Sequence, residues 1–224
     1  MTKPIQIAID GPAAAGKSTI AKIVAEQLGY VYIDTGAMYR AITLKALNEE
    51  INMASNEQAG ALLMDTEIDL QPSDNGQLVF LDKKNVTEAI RSQHVTKAVS
   101  EMAAHAQVRE RMVELQKQFA ESRGVVMDGR DIGTHVLPEA ALKIFMSASV
   151  EERARRRFDD NANRGIHVPI EELQEEIALR DKMDSEREAS PLRKADDAIF
   201  IDTTELTIRE AADEILKLAK ERLS

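Results

Sequence analysis

Glycines, a lysine and a serine near the N-terminus have the spacing of a phosphate-binding loop. Gly11, Gly16, Lys17 and Ser18 fit the pattern G-x-x-x-x-G-K-[ST] within GPAAAGKST. Glycine permits backbone conformations closed to other residues, so that successive N–H groups can turn toward one anion. A lysine here can reach the β- and γ-phosphates of a nucleotide, and a serine hydroxyl can ligate Mg²⁺. The predicted loop residues are Gly11, Pro12, Ala13, Ala14, Ala15, Gly16, Lys17, Ser18 and Thr19.

The segments on either side of this loop support that interpretation. PIQIAID before it has the β-branched run of a strand, and KSTIAKIVAEQL after it has apolar residues spaced for one helical face. The alternative is a glycine turn that binds nothing. The loop alone does not separate a kinase from a GTPase or a motor ATPase. The chain has no Asn-Lys dipeptide, which a guanine-reading N-K-x-D needs, and 224 residues hardly accommodate the partner domains of a mechanical ATPase.

A second motif, DTGAMYR, follows the strand pattern YVYID and precedes a helical segment. In a parallel sheet this position is the carboxyl edge, where ligands bind. Asp34 is suited to hold a metal-bound water, Thr35 can donate to an anion at the helix N-terminus, and Arg40 can face a second phosphate. Plain helix capping by Asp34 and Thr35 is the alternative.

A third motif, MDGRDIGT, ends the buried strand pattern GVVMDG with Asp128, Arg130 and Asp131. Charges at such an edge add a desolvation cost, so packing explains them poorly. We therefore interpret this loop as part of a site, with an exposed charged loop as the alternative.

Two further segments carry arginines at helical spacing. LRDKMDSER places Arg180, Asp184 and Arg187 at i, i+4 and i+7, which predicts one helical face. By itself, such a pattern is typical of a solvated, salt-bridged surface. The helix predicted in SVEERARRRFDD is strongly basic, and a solvated face is the alternative there too. The sequence does not say which of its arginines point inward; they are Arg153, Arg155, Arg156 and Arg157.

Strand and helix patterns alternate along most of the chain, which predicts an α/β fold with a central parallel sheet flanked by helices. TEIDL, GQLVFLD and KNVTEAI predict short strands in a β-rich insertion over about 55–90, and helical periodicity then runs from about 95 to 122. The basic helix and the turn-prone NANRGIHVP predict a mobile segment over about 151–170. We expect a single domain over 1–224. Its core comprises about 1–54, 91–150 and 171–224.

Composition limits the partners and the compartment. The net charge of -10 disfavours binding to a nucleic acid polymer, although a local group of arginines can still hold one nucleotide. No apolar run approaches the roughly 20 residues that cross a bilayer, so we expect no membrane partner and a cytoplasmic protein. The absence of cysteine excludes disulfides and Cys-based zinc sites.

Taken together, GPAAAGKST, DTGAMYR, DGRDIGT and RDKMDSER resemble the bacterial cytidylate kinases, and the resemblance covers nearly the whole chain, including the insertion. These enzymes transfer the γ-phosphoryl group of ATP to CMP or dCMP. The resemblance implies a P-loop kinase fold with a helical lid and an insertion in the nucleoside-monophosphate region. It also implies Mg²⁺ with ATP as the phosphoryl donor, ATP and CMP or dCMP as partners, and a monomer.

The same resemblance implies individual roles. Lys17, Arg130 and Arg187 would be catalytic, and Arg157 would join the loop in binding ATP. Ser18 would ligate Mg²⁺ through its hydroxyl, and Asp34 through a water. The acceptor phosphate and ribose would contact Thr35, Arg40, Arg130, Arg180, Asp184 and Arg187. Asp131 and Ser100 would accept hydrogen bonds from the cytosine amine, and Arg109 would donate to the ring nitrogen and carbonyl of the base.

Two departures from the family pattern and two other functions stay open. Thr35 stands where many relatives carry serine, which keeps the hydroxyl, and Ser18 varies in relatives with threonine or with glycine, which has no hydroxyl ligand. The chain could also be a nucleotide-sensing P-loop module that has lost transfer, or a P-loop kinase for another small acceptor. The acceptor-side arginines argue against the first, and relative turnover with CMP, UMP and AMP tests the second.

Overall fold

The computed structural model describes residues 4–73, 76–121, 124–163 and 165–223. Strands and helices alternate through most of these ranges. The strands are β1 (Gln6–Asp10), β2 (Val31–Asp34), β3 (Ile68–Ser73), β4 (Gly76–Leu81), β5 (Lys84–Asn85), β6 (Val125–Gly129), β7 (Leu142–Ser147) and β8 (Ile199–Asp202). The α-helices are α1 (Lys17–Leu28), α2 (Thr35–Asn48), α3 (Asn56–Met64), α4 (Gln93–Met102), α5 (Ala106–Phe119), α6 (Val150–Asn163), α7 (Ile170–Glu186) and α8 (Ile208–Leu223).

Within these ranges, five strands form a parallel sheet in the order β2-β6-β1-β7-β8. Strands β1 and β6 are paired from Gln6 opposite Val125 to Asp10 opposite Gly129. The carboxyl end of β1, which leads into the glycine loop, therefore lies beside the carboxyl end of β6, which leads into the DGRD segment. The predicted α/β architecture is confirmed, and its edge brings distant motifs together.

Alternate residues of the central strands pack against helices on opposite faces of this sheet. Ile7 and Ile9 belong to the apolar cluster that holds α1 and α8, whereas Ala8 belongs to the cluster that includes Ala120 at the end of α5. Both clusters consist largely of aliphatic side chains with almost no exposed surface. The loops at the sheet edge are thus carried by a rigid base.

The insertion is less β-rich than the sequence predicted. It begins with helix α3, which Ser55 caps by accepting a hydrogen bond from the Gln58 N–H. Strands β3, β4 and β5 then form an antiparallel sheet, but KNVTEAI contributes only two residues to it. Thr87 explains that early end, because its hydroxyl accepts from the Val79 N–H in place of a continuing strand.

The helical periodicity after the insertion belongs to two helices rather than one. Helix α4 ends at Met102, and α5 begins at Ala106. At this break, the Ala103 carbonyl oxygen accepts a hydrogen bond from the Arg109 side chain. The final residue of the predicted helical run, Ser122, lies outside the described residues.

The last third of the chain follows the sequence prediction closely. Helices α6 and α7 pack on each other through Ala154, Leu173 and Ile177. Thr207 and Glu210 form the predicted capping box ahead of α8, with the Thr207 hydroxyl accepting from the Glu210 N–H at 3.2 Å. No helix in the described ranges combines the length and apolar character needed to span a membrane.

Candidate active site

The predicted site residues surround one cavity of about 770 Å³ at the carboxyl edge of the parallel sheet. The glycine loop and the start of α1 line one part of it, and residues of α2, α4, α5, α6 and α7 line the rest. Gly11 and Pro12 lie outside the lining. The remaining predicted site residues line the cavity, from Ala13 in the loop to Arg187 after α7.

The backbone of the glycine loop requires its glycines. Gly11 has a φ of 147°, and a Cβ at this position would lie 1.9 Å from the Met146 carbonyl oxygen. Gly16 caps the N-terminus of α1 with a φ of 86°. These conformations favour glycine and place the N-terminus of a twelve-residue helix at the cavity wall.

Lys17 is buried at the base of the loop, where its Nζ donates to the Pro12 carbonyl oxygen at 2.7 Å. Burial and the nearby Arg130 guanidinium lower the pKa of Lys17 to about 7. A bound polyphosphate would favour the charged ammonium form. The lysine is therefore held where anionic oxygens can replace its loop carbonyl partner.

Asp128, at the end of β6, connects the loop to β2. Its carboxylate accepts from the Ser18 hydroxyl at 2.8 Å and, on the other oxygen, from the Tyr32 hydroxyl at 2.8 Å. Burial and the neighbouring Asp34 raise the pKa of Asp128 to about 6. The motif MDGRDIGT contains Asp128, but the sequence pattern alone indicates no role for it. Its place at the end of the strand beside β1 was the available signal.

Asp34 and Thr35 both have structural partners at the start of α2. Asp34 accepts from the Ala37 N–H at 2.8 Å and from Arg40 Nη2 at 3.0 Å. The Thr35 hydroxyl donates to the Asp128 carbonyl oxygen at 2.7 Å. The helix-capping alternative thus describes Asp34, which in addition orients an arginine of the predicted site.

Arginines from several elements converge on the side of the cavity opposite the loop. Arg130 donates through Nε to Asp184 at 2.9 Å, and Arg187 donates through Nε to the Ser190 carbonyl oxygen at 2.8 Å. The LRDKMDSER face is nearly as predicted, but α7 ends at Glu186, so that Arg187 projects from the following extended residue.

Several guanidinium nitrogens on this side are buried and lack a hydrogen-bond acceptor among the described residues. They are Arg40 Nε, Arg109 Nε, Arg180 Nε and Arg187 Nη2. A buried donor without an acceptor costs about 1–3 kcal/mol, and more when the group is charged. Four such atoms around one cavity are typical of a site that is completed by an anionic ligand.

The electrostatics of Arg180 lead to the same interpretation. Burial and the surrounding guanidinium groups of Arg130, Arg40 and Arg157 lower its pKa to about 9. Asp184 opposes this effect, and the arginines around Asp184 in turn hold its own pKa below the usual value despite burial. Positive charge is in excess here, and a dianionic phosphate would compensate it.

Farther into the cavity, Arg109 and Asp131 form a buried ion pair. Arg109 also donates to the Ala103 carbonyl oxygen at 3.1 Å and lies over the ring of Tyr39, 5.3 Å from its centroid. Asp10 fixes the turn after Asp131, because its carboxylate accepts the N–H groups of Ile132 and Gly133, each at 2.7 Å. Ser100 on α4 lines the same cavity.

The structure separates the arginines of the basic helix α6. Arg153 is buried and forms two hydrogen bonds to Asp181, while Arg155 is exposed beside Glu152 and Asp159. Arg156 donates to Thr203 and, at 3.4 Å, to the Ala15 carbonyl oxygen of the loop. Arg155, Arg156 and Arg157 all border the cavity, but Arg157 is half-buried whereas Arg155 is exposed. The solvated-face alternative therefore fits Arg155 only.

The sheet order, the glycine loop at the end of β1 and the lysine at the start of α1 define a P-loop kinase fold. A solved gluconokinase from Sinorhizobium meliloti 1021 shares this fold, with a TM-score of 0.52 over 100% of this chain and 95% of that one at 14% identity. An uncharacterized protein from Eubacterium ventriosum ATCC 27560 has a TM-score of 0.53 over 96% of this chain and 98% of its own, at 13% identity.

The sequence comparisons identify the family. The family model described as cytidylate kinase matches residues 7–221. Curated cytidylate kinases are 64% identical over 223 residues in Lysinibacillus sphaericus, covering 100% of both chains, and 58% identical over 222 residues in Bacillus subtilis, covering 99% of both. The chain belongs to the cytidylate kinase family, as its motifs predicted.

Proposed function

We propose that the protein transfers the γ-phosphoryl group of ATP to the phosphate of CMP or dCMP, giving ADP and CDP or dCDP. The observation that carries this proposal is the set of unpaired, buried guanidinium nitrogens facing a glycine loop across one cavity. The loop supplies a site for the donor's phosphates, and the arginines supply a site for a second, acceptor phosphate. Family membership names cytidylate as that acceptor.

The residues of the acceptor side divide according to the chemistry of the nucleotide. Arg40, Arg130 and Arg187 hold the acceptor phosphate, with the hydroxyl of Thr35 at its edge. Arg180 and Asp184, one turn apart on α7, hold the ribose. Guanidinium groups suit the phosphate because their N–H groups match the spacing of its oxygens.

The buried Arg109–Asp131 pair reads the base together with Ser100. Cytosine carries an amine donor where uracil has a carbonyl acceptor, so a carboxylate at that position favours cytosine and repels uracil. UMP would leave the buried Asp131 carboxylate without its hydrogen-bond donor, and an unpaired buried group discriminates between substrates more strongly than a change in apolar contact does. The partner carbonyl of Ala103 and the Tyr39 ring hold Arg109 in place for this role.

The residues around Ser18 fit a magnesium ion bound mainly by the nucleotide. Ser18 offers one hydroxyl oxygen while donating its proton to Asp128, an arrangement suited to a metal ligand with a carboxylate behind it. The described residues contain no cluster of three acidic or histidine ligands, and Mg²⁺ commonly keeps several waters and takes phosphate oxygens instead. Asp34 and Asp128 would hold such waters.

The chain's residues would promote transfer by position and charge. The attacking oxygen belongs to an already ionised phosphate, so no general base is required. The barrier lies in bringing two anions into line and spreading charge at the transferring group. Lys17, Arg130 and Arg187 supply that positive charge. Arg157, on the lid helix, would close over ATP and exclude water.

We further propose a lid over about 151–170 and a nucleoside-monophosphate-binding insertion over about 55–90, both carried by one core. Helix α6 joins the loop through Arg156, and the insertion packs on α2, the helix that carries Arg40. We also propose that the protein is a monomer and acts in the cytoplasm. Light scattering in solution tests the first of these, and cell fractionation tests the second.

The test of the proposed function is ATP-dependent turnover with CMP, dCMP, UMP and AMP, followed by coupled detection of ADP. We expect CMP and dCMP to be the best acceptors. ATP consumption independent of CMP would exclude the kinase, and faster turnover with UMP or AMP would assign another acceptor. Omitting Mg²⁺ should abolish turnover.

Base discrimination has its own test in Asp131→Ala. We expect the preference for CMP over UMP to fall by about 10- to 100-fold, because the acceptor for the cytosine amine is lost. Leaving Arg109 unpaired should also lower the free energy of unfolding, by about 3 kcal/mol. ATP affinity, measured by calorimetry, should change little. Equal losses in ATP affinity and in base preference would contradict the assigned role.

A further inference from the structure

The side chain of Gln77 connects the insertion to the exposed edge of the parallel sheet. Gln77 lies on β4, next to the end of the β3–β4 hairpin. Its Oε1 accepts from the Asp34 N–H at 3.0 Å, and its Nε2 donates to the Tyr32 carbonyl oxygen at 3.3 Å. One amide therefore occupies both the donor and the acceptor of an edge strand, as a neighbouring strand would.

The adjacent residue shows that this contact is closely fitted. Gly76 has a φ of 115°, and a Cβ there would lie 2.9 Å from Cε of Lys22 on α1. Lys22 in turn lies over the ring of Tyr32, with Nζ 5.7 Å from the centroid. The hairpin thus approaches the core at Gly76 and is held there by Gln77.

The strand residue that Gln77 holds also aims an arginine of the acceptor site. Asp34 caps α2 through the Ala37 N–H and pairs with Arg40 Nη2 at 3.0 Å. Arg40 Nε is buried without an acceptor among the described residues and lies at the wall of the cavity. A shift of the Asp34 backbone would therefore move the carboxylate that orients Arg40.

We propose that Gln77 is a positioning residue for the acceptor phosphate: it fixes the Asp34 backbone, and through the Asp34 carboxylate it sets the direction of Arg40. The insertion thereby supports the phosphate site through this amide, in addition to its apolar packing on α2. This inference rests on the proposed function, because it assigns the Arg40 end of the cavity to CMP.

The test compares Gln77→Met with Gln71→Met. Methionine keeps the length and bulk of glutamine but removes both hydrogen bonds. Gln71 lies on the paired strand β3 and is exposed, and its side chain hydrogen-bonds only to Asp69 among the described residues, which makes it a matched control. We expect Gln77→Met to raise the KM for CMP about tenfold and to leave the KM for ATP within about twofold. Gln71→Met should match the wild type.

A double-mutant cycle with Arg40→Met tests the route of the effect. If Gln77 acts through Arg40, adding Gln77→Met to Arg40→Met changes the KM for CMP by less than about twofold. Calorimetric titration with CMP in the absence of ATP should show the same pattern, independently of turnover. A tenfold effect that persists without Arg40 would overturn the proposal, as would an equal rise in both KM values.

The outcomes separate this inference from the proposed function. No CMP-dependent turnover by the wild type would overturn the proposed function and this inference with it. An active wild type with a Gln77→Met variant that behaves like Gln71→Met would overturn the inference alone. Unfolding temperatures of both variants within a few degrees of the wild type would exclude loss of fold as the cause.

Discussion

At the loop end of the cavity the buried polar side chains have protein partners, and at the opposite end several do not. Lys17 donates to the Pro12 carbonyl oxygen, and Ser18 donates to Asp128. Across the cavity, Arg40 Nε and Arg180 Nε are buried without an acceptor among the described residues. We propose a phosphate at each end, and of the polar groups named here those at the loop end have acceptors within the protein whereas Arg40 Nε and Arg180 Nε do not.

This difference shows where each end obtains its geometry. The loop is fixed by backbone and capping, so that a nucleotide replaces partners that already exist. The opposite end holds positive charge together against repulsion, at a cost to the stability of the fold. Such a trade of stability for binding is common at functional sites. For each hydrogen bond it forms with the protein, the acceptor nucleotide should therefore raise the free energy of unfolding more than the donor nucleotide does.

Lys17→Ala should have the largest effect. Removing the ammonium at the base of the loop takes away charge stabilisation of the transferring group, and we expect kcat to fall by about 10²- to 10³-fold with every acceptor. Steady-state kinetics with CMP and dCMP measure this. Lys217→Ala, on an exposed position of α8, is the control and should leave kcat unchanged. Undiminished turnover in Lys17→Ala would refute a transition-state role.

Arg180→Met tests the arginines without acceptors at the other end of the cavity. We expect the KM for CMP to rise about 30-fold, because a charged donor to the nucleotide is lost. The unliganded protein should unfold at the same temperature or higher, since repulsion from Arg130, Arg40 and Arg157 is relieved. Lys182→Met, exposed on the same helix, controls for the loss of charge alone. A clearly lower unfolding temperature without ligand would show that the arginine stabilises the empty site.

At the loop end, proton uptake on nucleotide binding reports the charge state of Lys17. The pKa of Lys17 is lowered to about 7, and bound phosphates favour its charged form, so nucleotide binding above pH 7 must take up a proton. The affinity for ATP without divalent cation should therefore fall by up to about tenfold per pH unit above pH 7, and not below it. Calorimetry at pH 8 in buffers of different ionisation enthalpy should report close to one proton.

Lys17→Arg provides the control for that measurement. A guanidinium stays charged at this pH, so its nucleotide binding should show no buffer dependence. Buffer-independent binding by the wild type at pH 8 would mean that Lys17 is already charged in the unliganded protein.

Tyr32→Phe should have the smallest effect. It removes one of the two hydroxyl donors to Asp128 and leaves the ring in place. We expect the Mg²⁺ concentration for half-maximal turnover to rise about threefold, with little change in kcat at saturating Mg²⁺. Tyr30→Phe deletes a hydroxyl that contacts only the Ile5 N–H among the described residues, and it should leave the Mg²⁺ dependence unchanged. Equal shifts in both variants would exclude a specific role for Tyr32.

The sequence predicted those parts of the site that short motifs encode. The glycine loop, the arginine of DTGAMYR and the Arg130–Asp131 dipeptide each follow a strand, and strand ends meet at one edge of a parallel sheet. The parallel sheet itself followed from alternating periodicity. Local pattern and long-range architecture agree here because βα units impose them together.

Contacts between distant segments could not be predicted in this way. Gln77 meets β2 across 43 positions, and no spacing in the sequence marks it. Helix α3 was missed because its nine residues are short for a clear helical period, and only the Ser55 cap and the buried Ala59, Leu62 and Leu63 define it. Which of the α6 arginines point inward depends on how α6 packs against α7, and the sequence pattern does not determine that packing.

One of those arginines links three segments of the chain. Arg153 donates to the Ala13 carbonyl oxygen of the loop and grips Asp181 of α7 with both terminal nitrogens. These hydrogen bonds connect the glycine loop, the first turn of α6 and α7. If the lid proposed over about 151–170 closes while these hydrogen bonds stay in place, the second half of α6 and the start of α7 are the parts that move relative to the loop.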